Sequence, residues 1–250
     1  MTTVKLEKQD SFYAANPMPM GLKILSGLAI IGGFFTLYMG LAYAGTDITQ
    51  GNVQRLFYIH MPSFFGAFIA FALTVIGGIQ YLRTRKSKWD TLALAGVEIG
   101  LMMALINITT GAIWARPIWN TWWTWDPRLT SDAIMILTYA AYLMLRAGIE
   151  NSDRKRTFSS VYGIFAYLTV LITLFIIRIR PDTIHPVVIG ESPQNAQGTF
   201  EASTGVAMAL LPALLYWSII LPAALVWIRI RLQNKLDYAH EKKIEVLTNS

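Results

Sequence analysis

The chain of 250 residues is 54% hydrophobic, only 14% charged, and carries a formal net charge of +6, far from the roughly one-quarter charged residues of a soluble domain. It has no cysteine, which excludes a thiol nucleophile, a disulfide framework, an iron–sulfur cluster, a thiolate zinc site and a C-x-x-C-H haem attachment within this chain. The composition is that of an all-α polytopic membrane protein, so its positive charge is read through topology and not as a nucleic-acid footprint.

In chain order, residues 1–20 read as a short polar tail. A first apolar run, 22–44, is long enough to cross a hydrocarbon core of ~30 Å. It is also too long for a signal peptide, so Ala42-Tyr43-Ala44 is taken as part of an uncleaved anchor. Further spans are predicted at 56–82, 91–113, 129–145, 158–177 and 205–228, the last with Pro212 and Pro222 as tolerated kinks. The whole of 1–250 is thus one six-helix membrane domain. Sixteen lysines and arginines fall in the two tails and the 83–88 and 146–156 connectors, against five on the other side. The positive-inside rule then puts both termini in the cytoplasm and the 45–55 loop, the 114–131 segment and the 178–204 loop on the extracytoplasmic face.

The 114–131 segment is the densest chemical signal. Trp114, Trp119, Trp122, Trp123 and Trp125 lie within its first twelve residues, and its only charges are Arg116, Asp126 and Arg128. If the segment is helical, Trp119, Trp122 and Trp123 share one face. A sheet of indole edged by cations suits a flat apolar ligand carrying carboxylates, and haem is such a ligand. The alternative is an interfacial aromatic belt, since tryptophan collects at membrane surfaces. Asp126-Pro127 reads as a helix N-cap followed by proline at the first helical position.

Of three histidines, His240 lies in the charged tail, whereas His60, near the start of the second span, and His185, in the long outer loop, fall on the same side as the tryptophans. Two neutral imidazoles suit the two axial positions of one haem iron. Two histidines saturate only one iron, which excludes a four-histidine cytochrome b. Arg55, Arg116, Arg128, Arg178 and Arg180 form the outer basic set, and Arg116, Arg128 and Arg55 are the candidates to meet haem propionates in two-pronged fashion; interfacial anchoring is the alternative. Glu98 lies inside the third span with no partner to name, Gly66 and Gly77-Gly78 suggest close helix packing, and no ATP-binding, dinucleotide or metalloprotease motif occurs.

With these residues in hand, the sequence resembles the haem-handling "WWD" membrane proteins, and within them the CcmC family. The signature is Trp119-Asn120-Thr121-Trp122-Trp123-Thr124-Trp125-Asp126-Pro127-Arg128-Leu129-Thr130-Ser131; Tyr58-Ile59-His60-Met61-Pro62 resembles the family's Y-x-H-x-P, and Thr183-Ile184-His185 its second histidine site. Asn120 stands where the family has glycine. The resemblance implies a non-enzymatic protein of the bacterial cytoplasmic membrane that holds haem b transiently at the periplasmic face. His60 and His185 would be axial ligands, and the tryptophans, Asp126 and the arginines would complete the site. It also implies delivery to the haem chaperone CcmE, in company with CcmD and the ATP-hydrolysing CcmA–CcmB pair. A haem-conducting permease subunit and a haem-containing electron-transfer subunit are the alternatives.

Overall fold

The structure is a computed structural model, and it describes residues 18–180, 182–186 and 204–248. Helix α1 (Met20–Tyr38) runs on through a π-helical turn, Met39–Tyr43. A short 3-10 turn, Asn52–Leu56, leads into α2 (Phe57–Thr84). Then follow α3 (Ser87–Trp119), α4 (Pro127–Gly148) and α5 (Ser152–Ile179). The last two helices, α6 (Thr204–Leu215) and α7 (Leu221–Thr248), are joined through a second π-turn, Tyr216–Ile220. Five helical stretches are long and apolar enough to cross a membrane: Met20–Tyr43, Asn52–Thr84, Ser87–Trp119, Ser152–Ile179 and Gly205–Thr248. The sixth, α4, has 22 residues, and at 1.5 Å rise per residue that is roughly 33 Å, enough to span. It is less apolar because Arg128, Asp132 and Arg146 sit on it.

Helices α2 to α5 form a four-helix core. α2 packs most extensively on α3 and next on α5, and α4 packs on α5. Phe71, Val97, Met103, Met135, Tyr139, Tyr142 and Val170 fill its interior. α1 and α6–α7 flank this core, with Met39, Phe57, Tyr58, Ala209 and Ala213 making a second cluster. The close approach of α2 to α3 needs glycine: a Cβ on Gly77 would fall 2.6 Å from the Trp89 carbonyl oxygen. Gly66 meets the second π-turn in the same way, 2.5 Å from the Trp217 carbonyl oxygen. That turn lies between Pro212 and Pro222. Pro222 has no N–H to give the carbonyl four residues back, so the ladder widens by one residue there.

At the end of the bundle away from the tryptophans, Asp90 of α3 is bonded by Arg146 of α4 at 2.6 and 2.9 Å and approached by Arg156 of α5 at 3.8 Å. Glu98, left without a partner by the sequence, is paired with Arg229 of α7, whose Nη2 donates at 3.1 Å. Breaking such a pair leaves a charge in an apolar setting. α7 continues well past residue 228, where the last span was expected to end; its tail is helical to Thr248 and carries a ladder from Arg229 to Gln233 to Asp237. α3, α4 and α5 overrun their expected bounds at both ends, because polar caps outside the apolar stretch still make helical bonds, whereas α1 with its π-turn and α2 lie within two residues of theirs. Residues 1–17 of the expected tail and 187–203 of the expected outer loop lie outside the described residues.

The glycine contacts give a paired test. Gly77→Ala is expected to cost about 1–3 kcal/mol through overpacking. Gly27→Ala, whose Cβ would meet nothing within 4 Å, is expected to be neutral or slightly stabilising. Thermal melting of the two variants in detergent checks both.

Candidate functional site

Antiparallel neighbours bring the start of α2, the end of α3, the start of α4 and the end of α5 to one end of the core. His60 is in the first turn of α2. Its Nδ1 lies 2.9 Å from the Asn107 carbonyl oxygen of α3. The Asn107 amide donates at 2.7 Å to the His60 carbonyl. Nδ1–H therefore donates to the Asn107 carbonyl, which leaves the Nε2 lone pair free. Gly111 makes room for the ring: a Cβ there would fall 2.8 Å from His60 Cε1. Trp114 lies edge-on to His60 at 5.8 Å between ring centres and is itself held by Gln50, which accepts from its Nε1 at 2.9 Å. Gln50 sits on a loop closed by Asp47; hydrogen bonds from the Gln50 N–H and the Thr49 hydroxyl hold the Asp47 carboxyl below its usual range.

His185 arrives from the other direction. Asp126 caps α4 by accepting from the Arg128 N–H at 2.8 Å, and Pro127 follows at the first helical position. The same carboxylate also accepts from the Thr183 hydroxyl at 2.9 Å and from the Ile184 N–H at 2.7 Å. The Thr183 oxygen in turn accepts from the His185 N–H at 3.1 Å. One buried carboxylate thus ties the start of α4 to the segment that carries His185. The His185 Nδ1 lies 3.1 Å from the Pro186 carbonyl oxygen, so its Nε2 is the free nitrogen as well. Burial, and then the charges of Arg128 and His60, push its pKa down to about 3. The imidazole is neutral at physiological pH, the form that binds metals.

The ring centres of His60 and His185 are 6.3 Å apart, tilted by 33°. Two imidazoles that share one metal atom through metal–nitrogen bonds of about 2 Å have ring centres roughly 6 Å apart. Each ring has one nitrogen spent on a carbonyl, the arrangement that orients a metal-bound histidine. The observed separation is thus compatible with two imidazoles sharing one metal atom. Among the described residues no group of three or more His, Asp and Glu side chains is placed to hold a metal ion.

The tryptophans divide. Trp119 stands edge-on to His185 at 6.4 Å. The shared face expected for Trp119, Trp122 and Trp123 does not form, because α3 ends at Trp119. Asn120 has φ 55° and ψ 22° there, the left-handed conformation that closes a helix. After glycine, asparagine is the residue best suited to that conformation, so the departure at position 120 keeps the local geometry. Trp123 and Trp125 then pack edge-to-face at 5.9 Å. Trp122 and Trp125 are exposed.

The arginines also divide. Arg116 bonds the Asn120 carbonyl at 2.7 Å and its side-chain oxygen at 2.8 Å, bracing the helix end. Arg128 turns inward, donates to the Thr173 carbonyl and lies over the Phe64 ring at 4.3 Å. Arg55 bonds Thr46 at 3.2 Å, while its Nε is buried with no hydrogen-bond partner among the described residues. Sequence reasoning preferred Arg116 and Arg128 as carboxylate partners; Arg55 is the one with a buried donor to spare. Asn107 and Gly111 were not identified as site residues, although Asn107, a polar residue inside an apolar span, was the visible signal for the first.

These features describe a multi-pass helical membrane protein with two neighbouring histidines at one end of its bundle. The chain belongs to the CcmC family, described as heme exporter protein C, whose family model matches residues 3–240. It is 30% identical over 139 residues to the heme exporter protein C of Paracoccus denitrificans, covering 56% of this chain and 58% of that one. It is 32% identical to the Rhodobacter capsulatus protein of the same name, covering 62% of each. With the Haemophilus influenzae protein, also of that name, it is 31% identical, covering 60% of this chain and 63% of the relative. The chain therefore aligns with about three-fifths of the length of the curated relatives it matches.

Replacing Asp126 by alanine removes three acceptor contacts at once. Hydrogen bonds to a charged group contribute roughly 1.5–3 kcal/mol each, so the Ile184 amide is expected to exchange with solvent at least about tenfold faster. Hydrogen–deuterium exchange of the peptide covering 182–186 reads this directly; an unchanged rate would remove Asp126 as the tether.

Proposed function

We propose that this protein binds one haem b, non-covalently and transiently, between His60 and His185 at the extracytoplasmic face of the bacterial cytoplasmic membrane, and delivers it to the haem chaperone CcmE for cytochrome c maturation. The observation that carries the reading is the pair of imidazoles 6.3 Å apart, each with Nδ1 spent on a carbonyl and Nε2 free. The buried unspent Nε of Arg55 adds a donor suited to a propionate, with Arg116 and Arg128 supplying positive charge nearby. Positive-inside counting supports cytoplasmic termini and an outer location for the site. Membership of the CcmC family supports CcmD and the CcmA–CcmB pair as partners.

When bound, haem would supply an iron centre that His60 and His185 would hold through their free nitrogens. The chain's own residues do the rest. Asn107 and Pro186 fix the tautomers of the two histidines. Trp119 stands edge-on to His185, and exposed Trp122 and Trp125 form an aromatic rim on which a planar acceptor surface can dock. On this reading the activity is binding and oriented release, in keeping with a family that handles haem rather than catalysing a reaction. Affinity is necessarily limited, because very tight binding means very slow release.

The relatives' name, heme exporter, favours a second reading in which haem crosses through this subunit. Against it, the interior of the four-helix core is filled by Tyr139 and Tyr142, both fully buried, and its far end carries the Asp90–Arg146–Arg156 cluster. Haem offered from the cytoplasmic side of sealed vesicles is expected not to load the site, whereas haem offered from the outer side is. The delivery step is tested by changing Trp122 and Trp123 together to alanine: membrane insertion and haem content should stay near wild type while transfer to CcmE falls at least about tenfold. Lost insertion with unimpaired transfer per folded molecule would return the tryptophans to a belt role.

A further inference from the structure

The face of α4 that turns into the bundle carries charge as well as apolar side chains. Arg128 and Asp132 stand four residues apart, hence on one face and about 6 Å apart along the axis. Arg128, held on the Phe64 ring and the Thr173 carbonyl, lies one turn of α2 from His60 and two residues from Asp126, which bonds the segment carrying His185. Two carboxylates flank it on the chain, Asp126 and Asp132. Asp126 is spent on three donors. Asp132 is different: it is 6% exposed, and its Oδ1 is buried without a hydrogen-bond partner among the described residues. One turn further along the face come Met135 and then Tyr139, both fully buried. A charge in such surroundings interacts over longer distances than it would in water. Burying a carboxylate is costly unless it is paired and bonded, and packing alone gives no reason for this one.

We infer that Asp132 is a positioning residue that acts through Arg128 on the metal held by the two histidines, offsetting part of the guanidinium charge and so keeping the haem reduction potential lower than Arg128 alone would set it. The inference rests on the haem reading above. Its sign follows from electrostatics: a positive charge near the iron favours the ferrous state, which carries one positive charge fewer. Removing the carboxylate leaves Arg128 uncompensated and shifts the couple toward the reduced form. Buried charge near the metal is one of the protein's levers on haem potential.

The test is a redox titration of purified, haem-loaded wild type, Asp132→Asn and Asp132→Glu, followed optically. Asparagine keeps the shape and removes the charge; glutamate keeps the charge. Asp132→Asn is expected to retain the wild-type ferric spectrum, while at the wild-type midpoint its ferrous-to-ferric ratio rises from one to about ten, equivalent to 59 mV for one electron. Asp132→Glu is expected to return the ratio to within about threefold of wild type. An unmoved midpoint in Asp132→Asn with haem still bound overturns this inference and leaves the haem site standing. Loss of haem or of folded protein in Asp132→Asn makes the carboxylate a packing requirement and overturns it too. A wild type that takes up no haem overturns both this inference and the reading it rests on.

Discussion

The Asp126 carboxylate is the contact on which the rest of the site depends. It caps α4 through the Arg128 N–H, and it holds Thr183 and the Ile184 N–H of the segment leading to His185. Neither job alone would require a buried acid. An N-cap contributes roughly 0.5–2 kcal/mol, and asparagine or serine would serve. Holding the His185 segment adds two further donors to the same two oxygens, and an anionic acceptor makes each bond stronger than a neutral one would. The result is that the chain leaving α5 is pinned to the chain entering α4, beside the end of α3 where the tryptophans begin.

Much of this was legible in the sequence because the signals are local. Asp126-Pro127 at a helix start depends only on the adjacent backbone, and the observed cap is the expected one. The apolar runs are set by the bilayer thickness and, apart from the long C-terminal extension of α7, lie close to the observed helices. The break at Asn120 was not legible as a break. Spacing at i, i+3 and i+4 describes a helical face only while the helix lasts, and one residue in the left-handed conformation ends it. Asn107 and Gly111 were illegible as neighbours of His60 because their contact spans about fifty residues of chain. No periodicity within one span reports which face of it a neighbouring helix covers. The partner of Glu98 was hidden for the same reason: Arg229 lies 131 residues away.

The site combines a rigid floor and an open rim. His60 is fixed by α3, with Asn107 on one side and Gly111 clearing space on another. Trp114 is fixed by Gln50, and Arg116 by the end of its own helix. Exposure is concentrated in Trp122 and Trp125, beyond the helix end. The proposed role as a haem carrier would use this division: histidines held by the bundle, and an accessible aromatic edge where an acceptor could meet the cargo. The charges of α4 extend the same logic inward, since Arg128 lies over Phe64, one turn of α2 from His60, while its helix ends in the Arg146–Asp90 pair at the far side of the core.

The central claim is that His60 and His185 together bind one haem iron. The most direct measurement is the optical spectrum, oxidised and then reduced, of protein purified from haem-replete cells, beside His60→Ala and His185→Ala purified in the same way. The account predicts a six-coordinate b-type spectrum in the wild type that is lost or becomes five-coordinate in each variant. Wild-type spectra and haem content in both variants would contradict it.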